Sequence, residues 1–159
     1  MKTKELQRRA VLKGAAATGL VALAASWGLI GNLAHAANRP QMAFDADDVD
    51  GTLKALFGEN GIQDSDAVVV KGPEIAENGA VVPIKVTANL DNVESIAIIV
   101  PENPAPMVAA FDLQSGVVPE VSVRIKMGKT SDVVALVKSN GQIYRGASEV
   151  KVTIGGCGG

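Results

Sequence analysis

An alternation of period two, sustained from residue 67 almost to the end of the chain, restricts the fold more than any other feature. In Glu120-Val121-Ser122-Val123-Arg124-Ile125-Lys126-Met127 it is complete, with Val121, Val123, Ile125 and Met127 on one face. Side chains of extended backbone point to alternate sides, so such a segment is a strand with one buried and one wet face. Segments of the same kind run from Ala67 to Lys71, Val81 to Leu90, Ser95 to Val100, Met107 to Leu113, Val118 to Met127, Asp132 to Lys138, Gln142 to Arg145 and Ser148 to Ile154. Each is bounded by Gly, Pro, Asn or Asp, and short strands at this spacing without helices between them describe an all-β antiparallel sandwich.

The turns agree with the strands. Glu77-Asn78-Gly79 precedes one strand and Asp91-Asn92 follows it, while Ser139-Asn140-Gly141-Gln142 is a hairpin signal, because Asn-Gly accepts the positive φ of a type I′ turn. Pro101-Glu102-Asn103-Pro104-Ala105-Pro106 reads as a loop stiffened by prolines at one end of the sandwich. Ahead of the strands, residues 37–45 look like a loose leader, and residues 47–58 read as one short helix. Acids fill its first turn, Gly58 is its stop, and Val49, Leu53, Leu56 and Phe57 share a face that would dock on the body. Val134 and Leu136 lie opposite Val133, Ala135 and Val137 on one strand, so either a partner covers one apolar face or the strand is buried on both sides within the chain.

Residues 1–36 have the composition of an address. Arg8 and Arg9 precede an apolar run from Ala15 to Leu33, and Ala34-His35-Ala36 has the small-x-small form of a cleavage site, with Ala36 the residue before the cut. The expectation is a twin-arginine signal peptide, export to the periplasm and no retained membrane anchor. Its removal takes five of the 15 basic residues and one of the 17 acidic ones, so ten and 16 remain and the net charge is −6. Such a chain repels nucleic acid. His35 and Trp27, each the sole residue of its kind, leave as well. Without histidine and with one cysteine, the mature chain cannot assemble Ser-His-Asp or Cys-His catalysis, a Cys/His zinc site or a Cys-x-x-Cys pair. No cofactor or metal is expected, and the protein is not read as an enzyme.

That one cysteine stands in Val152-Thr153-Ile154-Gly155-Gly156-Cys157-Gly158-Gly159. Gly155, Gly156, Gly158 and Gly159 gain nothing by packing, so residues 155–159 are expected to form a mobile arm on a sandwich of residues 37–154. No cation lies closer to Cys157 than Lys151, so nothing in the chain activates the thiol.

The tail resembles, nearly residue for residue, the terminus of the SoxY family, the sulfur-carrier subunit of bacterial thiosulfate oxidation. Ala76-Glu77-Asn78-Gly79-Ala80-Val81-Val82-Pro83, Asn103-Pro104-Ala105-Pro106 and Arg124-Ile125-Lys126-Met127 look like further landmarks of that family. The resemblance implies an immunoglobulin-like sandwich paired in the periplasm with a second sandwich subunit, SoxZ. It implies that Cys157 covalently carries the substrate: a c-type cytochrome, SoxAX, joins thiosulfate oxidatively to the sulfur, a hydrolase, SoxB, releases sulfate, and further enzymes oxidise the remaining persulfide sulfur. Glycine suits an arm that several buried sites must admit, because it has the smallest cross-section. The alternative from another class is a structural or adhesion module in which Cys157 forms an intersubunit disulfide.

Overall fold

The computed structural model describes residues 39–153. The signal-peptide and cleavage-site expectations (Arg8, Arg9, Ala36) and the arm, including Cys157, lie outside them. In chain order the elements are α1 (Gln41–Phe44), α2 (Val49–Phe57), β1 (Ile62–Asp64), β2 (Val68–Lys71), β3 (Ile75–Ala76), β4 (Val82–Ala88), β5 (Val93–Ile99), β6 (Met107–Asp112), β7 (Glu120–Ile125), β8 (Ser131–Ser139) and β9 (Gln142–Val152). A larger sheet in the order β1-β9-β8-β5-β6, with β3 also on β9, faces a three-stranded sheet in the order β2-β4-β7. The all-β sandwich read from the period-two alternation is therefore present.

Its core is built from the inward positions of that alternation. Val82, Ile84 and Val86 on β4 meet Ile96 and Ile98 on β5 and Val133, Ala135 and Val137 on β8, all buried. Each such aliphatic side chain contributes roughly 1.5–3 kcal/mol by leaving water. The hairpin between β8 and β9 turns through Asn140 at φ 50° and Gly141 at φ 75°. Two successive positive values are the type I′ geometry expected of Asn-Gly.

Four expectations are corrected. Residues 37–45 are not wholly a loose leader, since Gln41–Phe44 form a helical turn that buries Ala43; the described residues therefore hold two short helices instead of one. The sandwich is not antiparallel throughout, because β1 and β3 both pair parallel with β9, with Ile62 opposite Ile143 and Ala76 opposite Val152. Strands of two and three residues carry no readable alternation, which is why they escape a periodic reading. Finally, the segments 142–145 and 148–154 are one strand running through Gly146.

The two readings of Val134 and Leu136 are also decided. Both are buried, with Ala97, Ile99 and Met107, beneath Ala43 and the half-buried Phe44, Val49, Leu53, Leu56 and Phe57 of the two helices. The chain covers this face of the larger sheet itself, giving three layers. Asp48 caps α2 by accepting a hydrogen bond from the Gly51 N–H (2.6 Å), and Gly58 ends it at φ 67°.

At the hairpin end of β9, Glu94 receives the Lys138 ammonium at 2.7 Å and the Gly141 N–H at 2.9 Å. Those two donors, Lys138 first, hold its carboxyl below the ordinary glutamate value. A carboxylate depressed in this way stabilises the fold above its unfolded value and loses that contribution as pH falls through the folded one. Glu94→Gln is therefore expected to lower stability slightly at neutral pH and to flatten the acid side of the profile, as read by urea unfolding at stepped pH. A variant with an unaltered acid limb would contradict this.

Candidate functional site

The candidate site is the place from which the cysteine-bearing tail departs. β9 delivers the chain to Val152 and Thr153, and this root is held from both sides. Backbone N–H groups of successive strand residues point in opposite directions. The Lys151 N–H accordingly donates to the Glu74 carbonyl (3.0 Å) and the Thr153 N–H to the Ala76 carbonyl (3.1 Å), both toward β3. Val152 points the other way, and its N–H donates to the Thr130 hydroxyl at 3.0 Å. β8 begins at Ser131, opposite Val150, so Thr130 supplies a side-chain acceptor where the β8 ladder has just ended.

Gly79 closes the root from above. Its carbonyl accepts from the Met127 N–H (2.7 Å). A Cβ at this position would collide with the Met127 carbonyl oxygen and lie 2.9 Å from Val152 Cγ1. The absence of a side chain thus lets the 77–80 turn press onto β9 and onto the segment after β7. Asn103 fastens the proline loop to that same segment, donating from Nδ2 to the Lys126 carbonyl (2.8 Å) and accepting at Oδ1 from the Gly128 N–H (3.0 Å). The proline loop is structural, as its composition suggests. The three segments 76–83, 103–106 and 124–127, which are far apart in sequence, meet at the end of the sandwich where β9 releases the chain.

Gly79→Ala is expected to cost about 1–3 kcal/mol, because the colliding atom is backbone and cannot swing aside. Amide exchange checks it: Val152 and Thr153 should lose protection more than β4 and β8. Equal loss everywhere would show a global effect without a particular role at the root.

Thr130, Gly79 and the Glu74–Ala76 stretch are not recognisable as root residues in the sequence. Asn78-Gly79 is legible as a turn, but nothing local announces that its glycine seats against Val152. Thr130 carries no signal at all, since its role comes from where β8 stops.

Among the described residues no group of three or more His, Cys, Asp or Glu is arranged to hold a metal ion. A cleft of about 290 Å³ lies at the opposite end of the sandwich, among Leu90, Asn92, Glu94, Leu113 and Pro119. It contains no histidine and no thiol. What this arrangement offers chemically is a fixed root ahead of the cysteine: Cys157 is the fourth residue after Thr153, a reach of roughly 13–14 Å for extended chain.

A family model described as sulfur oxidation protein SoxY matches residues 53–157, a span that takes in the sandwich, the root and Cys157. Among solved structures, the sulfur carrier protein SoxY from Chlorobium limicola f thiosulfatophilum is 47% identical, with a TM-score of 0.61, covering 66% of this chain and 96% of that one. The superoxide reductase (neelaredoxin) from Ignicoccus hospitalis has a TM-score of 0.52 at 15% identity, covering 58% of this chain and 94% of that one. The latter is a likeness of fold alone. No curated protein matches the chain.

Proposed function

Because the chain belongs to the SoxY family and is a sulfur carrier of thiosulfate oxidation, not a catalytic enzyme, we propose that Cys157 is the atom that carries. Thiosulfate is joined to it by formation of a sulfur–sulfur bond, with loss of the thiol proton and transfer of two electrons to a c-type cytochrome, SoxAX. Water then cleaves the terminal sulfonate in the hydrolase SoxB, releasing sulfate and leaving a persulfide on Cys157 for the sulfane-oxidising enzymes. A SoxZ subunit completes the heterodimer, and the complex works in the periplasm after export by the twin-arginine route.

The observation that carries this reading is the contrast at Thr153. Up to that residue every backbone N–H from Lys151 onward has a fixed partner; beyond it stand a single isoleucine, four glycines and the one cysteine of the chain. A fixed origin and a short arm confine the sulfur to a small volume, which raises its effective concentration at a docked enzyme. With no histidine after His35 and no cation closer along the chain than Lys151, the thiol stays sluggish in exchange until an enzyme site activates it.

Intact mass of the processed protein, taken after thiosulfate exposure with the whole pathway present, tests the assignment. Sulfur or sulfonate adducts mapped to Cys157 and removed by reductant are expected. A protein found solely as a stable disulfide to a structural partner would overturn it and favour the linker role instead.

A further inference from the structure

The outer face of the smaller sheet carries a charge opposite to that of the molecule as a whole. Alternation and register fix which side chains share it. Lys71 lies beside Lys85 and Pro83 beside Arg124, and just past the end of β7 Lys126 is exposed between the buried Ile125 and Met127, on the same side as Arg124. All four cations are exposed. Residues 39–153 hold ten cations and 16 carboxylates, so four of the ten stand on one face of three short strands. The one carboxylate at that face, Glu120, is taken by Lys85 at 2.8 Å. Lys71, Arg124 and Lys126 make no ion pair among the described residues.

This face adjoins the root of the arm. β7 runs from Glu120 toward Ile125 and continues into Lys126 and Met127, and the Met127 N–H is bonded to Gly79 beside Val152. The cationic end of the face is therefore the end from which the arm leaves.

We propose that the outer face of the β2-β4-β7 sheet is an electrostatic docking surface for acidic surfaces of the enzymes that receive the arm. The proposal rests on the carrier reading above. An acidic protein is repelled by a body of net charge −6 from most directions and attracted at this face, so the field both draws it in and orients it with the root toward its entrance. The face is shaped for a protein more than for a small anion. Its hollow of about 260 Å³, among Lys71, Gly72, Pro83 and Ser122, is shallow, and no buried side-chain polar atom among the described residues is left unpaired to grip a ligand.

The test measures kcat/KM for sulfate release by the purified hydrolase, acting on the thiosulfate-loaded protein with its partner subunit, across a range of salt. Arg124→Glu with Lys126→Glu is compared with Lys54→Glu with Arg145→Glu, which changes net charge equally on other surfaces. At about 20 mM salt the face pair should lose roughly tenfold or more and the control pair less than about twofold, with the difference vanishing toward about 1 M as screening shortens to about 3 Å. Arg124→Gln with Lys126→Gln should fall between, at an unchanged Tm. Face and control pairs of equal rate at low salt would overturn the proposal. So would inorganic phosphate raising the Tm of the wild type and not of the face pair while hydrolase kinetics stay the same, since that marks a small-anion site. A wild-type protein that the hydrolase does not process at all would remove the carrier reading first and this proposal with it.

Discussion

Replacing Cys157 by Ser is expected to reduce thiosulfate-dependent sulfate formation to background while shifting the Tm of the protein by less than about 1 °C. A serine hydroxyl cannot form the sulfur–sulfur bond on which the cycle turns, and the chain holds no second thiol to substitute for it. The described residues build both apolar clusters from side chains between Ala43 and Val150, and a residue flanked on each side by two glycines adds little to such a core. Sulfate formation by a reconstituted system and a thermal melt of the same preparation read the two halves of the prediction. Substantial sulfate formation by the variant would mean that sulfur is not carried covalently. A large fall in Tm would mean that the arm is part of the core.

The opposite behaviour is expected of Gly146→Ala, which should destabilise the body by about 2–3 kcal/mol and lower the Tm by roughly 10 °C. Gly146 lies in the middle of β9, opposite Ala135 on β8. A Cβ there would strike the Val68 carbonyl oxygen and lie 2.9 Å from its carbonyl carbon and 3.0 Å from its Cβ. Val68 begins β2, so this contact is where the edge of the smaller sheet closes onto the larger one. All three obstructing atoms belong to backbone or to a Cβ, none of which can rotate away. Urea unfolding checks the magnitude. Loss of less than about 0.5 kcal/mol would show that β2 can retreat without cost. Because the defect sits at mid-strand, far from the root, sulfate formation at low temperature should survive it.

Gly146 also shows where a periodic reading stops working. The alternation of Gln142–Arg145 and of Ser148 onward is legible, but a glycine between them looks equally like a break between two strands or a close approach within one. Only the neighbour decides, and the neighbour is Val68, far away in sequence. The same holds for Val134 and Leu136. Their apolar character is evident, yet whether a partner or the chain's own helices cover them depends on where Ala43 and Leu53 come to rest. The helical turn at Gln41–Phe44 is hidden because four residues cannot display a period of 3.6.

What the amino-acid order settles unaided is whatever depends on local covalent character. Alternation places Val82, Ile84 and Val86 inward, Asn140-Gly141 closes its hairpin because the pair tolerates positive φ, and four glycines about one thiol leave a reactive atom with no base of its own. What tertiary structure alone decides is whatever depends on atoms distant along the chain. Thr130, Gly79, Ala76 and Asn103 have no common motif, and they become the collar of the arm only because β9 ends where β3, the 77–80 turn and the segment after β7 converge. Likewise Lys71, Lys85, Arg124 and Lys126 are four scattered cations in the sequence and one charged face in the fold, since it is strand register that brings side chains of three strands to the same side.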